Sequence, residues 1–212
     1  MPLSKIIVLD FGSQYAHLIA KRFRALGYYS EIALPSASLS EIEGAKGIVL
    51  SGGPASVYDE NIPAFNKSIL DSDVPILGLC YGHQLMAQHY GGTVEKGEAG
   101  EFGIAHLTID KNIASPLFSG IASPMQVWMS HQDEVTKIAD GFERTGSTEN
   151  CKYAALQNLA KKRFSLQFHC EVSDTPCGNE VFENFAQVCG MEKNWDEKAV
   201  LEMIIGDIQR EA

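Results

Sequence analysis

The chain has 212 residues, 45% of them hydrophobic and 21% charged, a composition that excludes disordered, collagenous and low-complexity classes and suits one large domain with at most a short appendage. Its 17 basic and 27 acidic residues give a net charge of -10, which repels a polyphosphate backbone at long range and sets nucleic acid aside as a partner. No apolar run approaches the roughly 18 residues of a membrane span, and five cysteines at 80, 151, 170, 177 and 189 lack the paired rhythm of a secreted disulfide framework, so a cytoplasmic chain with reduced thiols and no membrane partner is expected.

Short runs of branched apolar residues alternate with segments of helical period, the pattern of parallel strands joined by crossover helices. Ile6 to Leu9 reads as a buried strand, followed by a helix with Tyr15, Leu18, Ile19, Phe23 and Leu26 at helical intervals and Gly27 at its end. Ile32 to Leu34, Ile48 to Leu50 and Ile76 to Leu79 read as three more strands, with helices over Pro63 to Leu70 and His83 to Tyr90. Beyond Gly91-Gly92 the pattern becomes strand-rich, through Ala105 to Ile109, Gln126 to Met129, Tyr153 to Leu159 and Phe164 to Phe168. Asn179 is placed to cap a helix whose stripe is Phe182, Phe185, Ala186 and Cys189, ended by Gly190. In the tail, Val200, Met203, Ile204 and Ile208 share one helical face. The fold expected is an open α/β sheet, mixed but mostly parallel, flanked by helices.

Gly78-Leu79-Cys80-Tyr81-Gly82 ends an apolar strand and opens a helix, with a reactive side chain between glycines at plus and minus two. This is the pattern of a nucleophile elbow with cysteine in place of serine, and the helix N-terminus there favours thiolate over thiol. A buried structural cysteine is the plain alternative. A thiolate nucleophile needs a proton shuttle, and the imidazole needs a partner that fixes its tautomer. Phe168-His169-Cys170-Glu171 offers both, because residues 169 and 171 of an extended backbone point to one side. Leu50-Ser51-Gly52-Gly53-Pro54 follows a strand and exposes backbone N–H groups, as an oxyanion hole requires together with the N–H of Tyr81, although an ordinary turn has the same composition.

Taken together, the Cys80 elbow, the Ser51 to Pro54 loop and the His169-x-Glu171 pair resemble class I (triad) glutamine amidotransferases. Asp10-Phe11-Gly12-Ser13-Gln14-Tyr15, Cys80-Tyr81-Gly82-His83-Gln84, Glu101-Phe102-Gly103 and Val127-Trp128-Met129-Ser130-His131 resemble more particularly the amidotransferase domain found in GMP synthetases. The resemblance covers about residues 5 to 190 and implies a flavodoxin-like core, with residues 1–190 as the amidotransferase domain and 191–212 as a helical lead toward a synthetase domain. It implies that Cys80 attacks the side-chain amide of L-glutamine and that His169, held by Glu171, protonates the departing ammonia. The N–H groups of Gly53 and Tyr81 would form the oxyanion hole, and Gly52, Gln84, Ser130, His131 and Asp133 would bind the substrate. Ammonia would pass to an ATP pyrophosphatase domain or subunit that converts XMP to GMP and holds the ATP and magnesium. No cofactor and no metal is expected in this chain, which carries no phosphate-cradling glycine loop with lysine.

Two positions depart from the family pattern. Position 170 is usually proline and is Cys170 here, which predicts a less pre-organised His169. Position 174 is commonly histidine and is Asp174, a carboxylate expected to raise the imidazolium pKa if it lies near. Cys170, Cys177 and His169 also read as metal ligands, but their spacing matches no standard zinc pattern. Three alternatives stay open: a γ-glutamyl hydrolase, an amidotransferase of another pathway, and a scaffolding protein whose triad is impaired.

Overall fold

The computed structural model describes residues 4–59, 63–193, 195–196, 198 and 200–201. Its elements in chain order are β1 (Lys5–Leu9), α1 (Tyr15–Ala25), β2 (Ser30–Ala33), β3 (Ala45–Leu50), β4 (Ile76–Leu79), α2 (Tyr81–His89), β5 (Thr93–Ile109), β6 (Met125–Lys137), β7 (Glu143–Ser147), β8 (Ala155–Asn158), β9 (Arg163–Leu166) and α3 (Gly178–Val188). Single 3-10 turns lie at Lys67–Ile69 and Pro116–Phe118.

All nine strands join one open sheet in the order β2-β1-β3-β4-β9-β8-β7-β5-β6. From β2 to β9 every pairing is parallel, and from β9 to β6 every pairing is antiparallel. The α/β class and the mixed sheet agree with the sequence reading. The antiparallel share is larger than expected because β5 and β6 extend to 17 and 13 residues and because β7 has no apolar run of its own to mark it as a strand.

Alternation along β1 sends Ile6 and Val8 to one face of the sheet and Ile7 and Leu9 to the other. The first face is covered by α1 and α3, whose Phe23 and Phe182 rings lie 4.9 Å apart. The second packs on α2 through Leu85 and Met86. Burial on both faces is why these strands read as continuous apolar runs. The order β2-β1-β3-β4 reverses direction at β1, and in such sheets the crevice beyond the carboxyl ends of the strands is where side chains from several loops converge.

Two sequence expectations are corrected, and a third falls largely outside the described residues. The helix over 63–70 is only the 3-10 turn Lys67–Ile69, because the Asn66 side chain bonds Ser68 N–H and the Ala37 carbonyl, tying the segment into a loop. Helix α3 starts earlier than expected, with Cys177 at its N-cap, and Asn179 lies inside the helix where its side chain accepts from Arg22 at 3.2 Å. In the tail, Lys198, Val200 and Leu201 are helical, whereas Met203, Ile204 and Ile208 lie outside the described residues.

Phe182 is fully buried and joins α1 to α3. Phe182→Ala is expected to lower stability by about 3–5 kcal/mol in urea unfolding at neutral pH. A loss under about 1 kcal/mol would mean that this helix layer does not carry the core.

Candidate active site

Cys80 is the residue between β4 and α2, and its backbone has φ 50° and ψ -101°. Positive φ in a residue with a side chain costs of order 1–3 kcal/mol, which the surroundings must outweigh. They do so by hydrogen bonding and close packing. The Cys80 N–H donates to the Leu166 carbonyl at 2.8 Å, and its carbonyl accepts the Gln84 N–H at 3.2 Å. A Cβ on Gly78 would come within 2.5 Å of the Gly82 carbonyl, and one on Gly82 within 2.5 Å of the Leu50 carbonyl, so both glycines are required for strand, turn and helix to meet.

His169 follows β9 and is fixed by three elements. Its N–H donates to the Trp128 carbonyl on β6 at 3.0 Å, its carbonyl accepts from the Thr175 hydroxyl at 2.6 Å, and that hydroxyl accepts the Trp128 N–H at 3.0 Å. The Tyr15 ring from α1 packs on the imidazole with centroids 4.8 Å apart. These contacts do what a proline at 170 was expected to do, and Cys170 itself is buried in the apolar core with its carbonyl against Gly178.

Imidazole Nδ1 lies 2.7 Å from Oε1 of Glu171, a fully buried carboxylate. A carboxylate partner there makes Nδ1 the donor and leaves Nε2 for the cavity that His169 and Cys80 both line. Burial opposes charge on this ring, but the Cys80 thiol and the Glu171 carboxylate outweigh it and hold the imidazolium up to about 11. Glu171 Oε2 is buried without a hydrogen-bond partner among the described residues, so the imidazolium is the group that compensates this carboxylate. The condition set for Asp174 is not met: it is exposed, and its contacts are with Gln126 and Ser173.

A cavity of about 430 Å³ opens beside Cys80 and His169. Gly53 and Tyr81 line it, and no hydrogen bond within the described residues takes up either backbone N–H. Gly52 is not among the lining residues but lies behind them, where a Cβ would be 3.2 Å from His169 Cε1. The opposite wall is β6. The Ser130 carbonyl accepts from the Cys80 thiol at 3.7 Å, and His131 sits between the Asp133 carbonyl (3.0 Å from Nδ1) and Glu101 Oε2 (3.5 Å from Nε2). The Asp133 carboxylate accepts hydroxyls from Ser56 and Tyr58, and Gln84 Nε2 donates to the Asp133 carbonyl at 2.8 Å. Beneath the elbow, burial and the neighbouring His131 push His83 down to about 3, so it is a neutral ring bonded to Ser165 and not a competing base.

The residues singled out from sequence are thereby gathered at one place, with Glu171 and Gly52 behind the cavity wall. Ser56, Tyr58, Glu101 and Gln167 were not singled out for the site. The signal for Gln167 was available: on an extended chain 165, 167, 169 and 171 share a side, and Ser165, Gln167 and His169 all reach the start of α2 or its cap. Cys170 and Cys177 make no metal centre with His169. Cys170 points into the core, Cys177 caps α3, and among the described residues no group of three or more His, Cys, Asp or Glu is placed to hold a metal.

Residues 7–189 match the family model for glutamine amidotransferase class-I. The chain is 44% identical over 205 residues to a probable glutamine-hydrolyzing GMP synthase of Leptospira interrogans, covering 97% of this chain and 34% of that protein. It is likewise 44% identical over 210 residues to a glutamine-hydrolyzing GMP synthase of Lactobacillus delbrueckii subsp. bulgaricus, covering 98% and 40%. It thus spans between a third and two fifths of the length of these relatives. Among solved structures, a Thermoplasma acidophilum protein assigned to GMP synthase as one of its subunits superposes with a TM-score of 0.79 at 31% identity, covering 90% of this chain and 96% of that one. A Thermotoga maritima glutamine amidotransferase shares the fold, with a TM-score of 0.66 at 18% identity.

The raised His169 pKa fixes the sign of a pH effect. A histidine whose folded pKa lies above its ordinary 6.5 contributes stability fully below that value and loses it as pH rises toward about 11. Glu171→Gln removes the compensating charge, so its stability deficit in urea unfolding should be larger at about pH 6 than at about pH 9. In nitrogen-15 NMR the His169 ring should remain doubly protonated across that range in the parent protein and titrate within or below it in the variant. Equal deficits at both pH values, with a neutral His169 in the parent, would refute the pairing.

Proposed function

The chain belongs to the class I glutamine amidotransferase family, and we propose that it performs the glutaminase half-reaction of GMP synthesis, hydrolysing L-glutamine to glutamate and ammonia. The observation that carries this reading is the convergence on one cavity of Cys80, held on a strained elbow, and His169, whose ring is bonded to the buried Glu171 carboxylate.

In this reading glutamine lies with its side-chain amide at Cys80. The sulfur attacks the amide carbon as the thiolate paired with the His169 imidazolium, the carbonyl becomes an oxyanion, and the N–H groups of Gly53 and Tyr81 bond it, each such donor being worth roughly 3–4 kcal/mol in other enzymes. His169, already protonated on Nε2, gives that proton to the departing nitrogen, and ammonia leaves a γ-glutamyl thioester. The neutral ring then takes a proton from water as it attacks the thioester, and collapse expels the thiolate, restores the thiolate–imidazolium pair and releases glutamate, whose new carboxyl gives its proton to solvent. Glu171 holds the tautomer and compensates the charge throughout. Gly52 lets the imidazole approach the elbow closely.

The amino-acid end of the substrate meets the β6 wall. Asp133 accepts from two hydroxyls, but a carboxylate has about four lone-pair sites, so it retains capacity for the substrate ammonium. Gln84 donates through Nε2 to Asp133 and Gln167, which leaves its carbonyl oxygen as the group to accept from the same ammonium. Ser130 and His131 complete this wall.

The length of the relatives supports a division of labour. Residues 1–190 supply ammonia, and 191–212 lead toward an ATP pyrophosphatase domain or subunit that uses ATP and magnesium to convert XMP to GMP. The half-reaction itself draws on no cofactor in this chain. Trp195 stacks on Tyr29 at 5.2 Å, which ties the start of that lead to the domain. No helix among the described residues is long and apolar enough to cross a membrane, and a cytoplasmic location follows from the metabolic role. The held His169–Glu171 pair weighs against a scaffolding protein with an impaired triad.

Cys80→Ala should lower ammonia release by about three orders of magnitude or more, measured with a GMP synthase pyrophosphatase domain present and absent. Asp133→Asn should raise KM by about tenfold or more with a smaller change in kcat, as expected for loss of a charge-assisted hydrogen bond to substrate. Retained hydrolysis in Cys80→Ala would overturn the nucleophile assignment. Stimulation by the pyrophosphatase domain is expected, and its absence would detach the chain from GMP synthesis.

A further inference from the structure

Gln167 directly follows β9 and is fully buried, yet it is not among the residues lining the cavity. Its amide orientation is dictated by a chain of bonds that begins at a backbone carbonyl. The Asp133 carbonyl can only accept, so the Gln84 atom 2.8 Å from it is the nitrogen. That nitrogen also donates to Oε1 of Gln167 at 3.2 Å, which turns the Gln167 nitrogen toward the sulfur of Cys80 at 3.8 Å.

The sulfur therefore has contacts of opposite character. The Ser130 carbonyl, at 3.7 Å, accepts and so favours the S–H form. The Gln167 N–H donates and so favours the sulfur as an acceptor, which is the thiolate. We propose that Gln167 is a positioning residue for the glutaminase reaction, holding the Cys80 sulfur in place and stabilising its thiolate through an amide whose orientation Gln84 and the Asp133 carbonyl impose.

This inference rests on Cys80 being the nucleophile, and its test separates the two claims. The full chain and its Gln167→Leu and Gln167→Glu variants are alkylated with iodoacetamide across a pH series, and modification of the Cys80 peptide is followed by mass spectrometry. Gln167→Leu removes donor and acceptor. Gln167→Glu keeps the size and the bond from Gln84 but replaces the donor with an oxygen, and it serves if the leucine variant does not fold. In both, the midpoint of the alkylation profile should move up by about one pH unit, so that alkylation below the midpoint is about tenfold slower while the plateau at high pH changes little. With glutamine, kcat should fall while KM stays within about twofold, because Gln167 does not face the substrate. Midpoints unchanged in a folded variant overturn the proposal, as does an equal loss of rate at every pH. If Cys80 of the parent protein is not the thiol that reacts, the nucleophile assignment fails first.

Discussion

Cys80 sits at positive φ with a side chain attached, and almost every feature of the site is a consequence of holding it there. The turn lifts the sulfur off the sheet edge, but only because Gly78 and Gly82 allow strand, elbow and the end of β3 to approach within distances no Cβ tolerates. The opposing free energy comes from ordinary sources: β4 is fully buried between β3 and β9, and α2 buries seven of its nine residues. The strained residue is therefore placed between a fully buried strand and a largely buried helix, the kind of surroundings in which such a conformation survives.

Around that fixed sulfur the sheet supplies two walls of different origin. The parallel half brings the loops after β1, β3, β4 and β9 to one crevice, as the reversal of strand order at β1 requires. The antiparallel half contributes β6, which reaches the same crevice and bonds His169 through Trp128. Cys80, His169 and Glu171 thus come from the parallel half and the polar wall of the cavity largely from the antiparallel half. A buried carboxylate next to a buried imidazole then sets the proton inventory. In a protein of net charge -10 the imidazolium is a local positive charge held by its neighbours Cys80 and Glu171.

The parts of this arrangement legible in sequence are those fixed by local rules. Gly-x-Cys-x-Gly between a strand and a helix reports a turn whose chemistry is confined to five residues. His169-x-Glu171 reports the two-residue period of extended chain. The same period carried back two positions reaches Gln167, which was not drawn from it. Less legible were contacts made by the fold alone. Asp133 is held by Ser56 and Tyr58, 77 and 75 positions away, and no local pattern marks a serine or tyrosine as a distant carboxylate's partner. Strand β7, reading Glu-Arg-Thr-Gly-Ser, exists because β5 and β8 flank it, not because of its own composition. Asn179 had the right type for a cap but was claimed by Arg22, and Asp174 had the right charge but faces solvent.

The account stands or falls on whether Cys80 becomes covalently acylated during turnover. Rapid acid quench of the protein with L-glutamine, followed by peptide mass spectrometry, should find a γ-glutamyl adduct on the peptide carrying Cys80 and on no peptide carrying Cys151, Cys170, Cys177 or Cys189. Ammonia release with no adduct at Cys80, or an adduct on another cysteine, would contradict it.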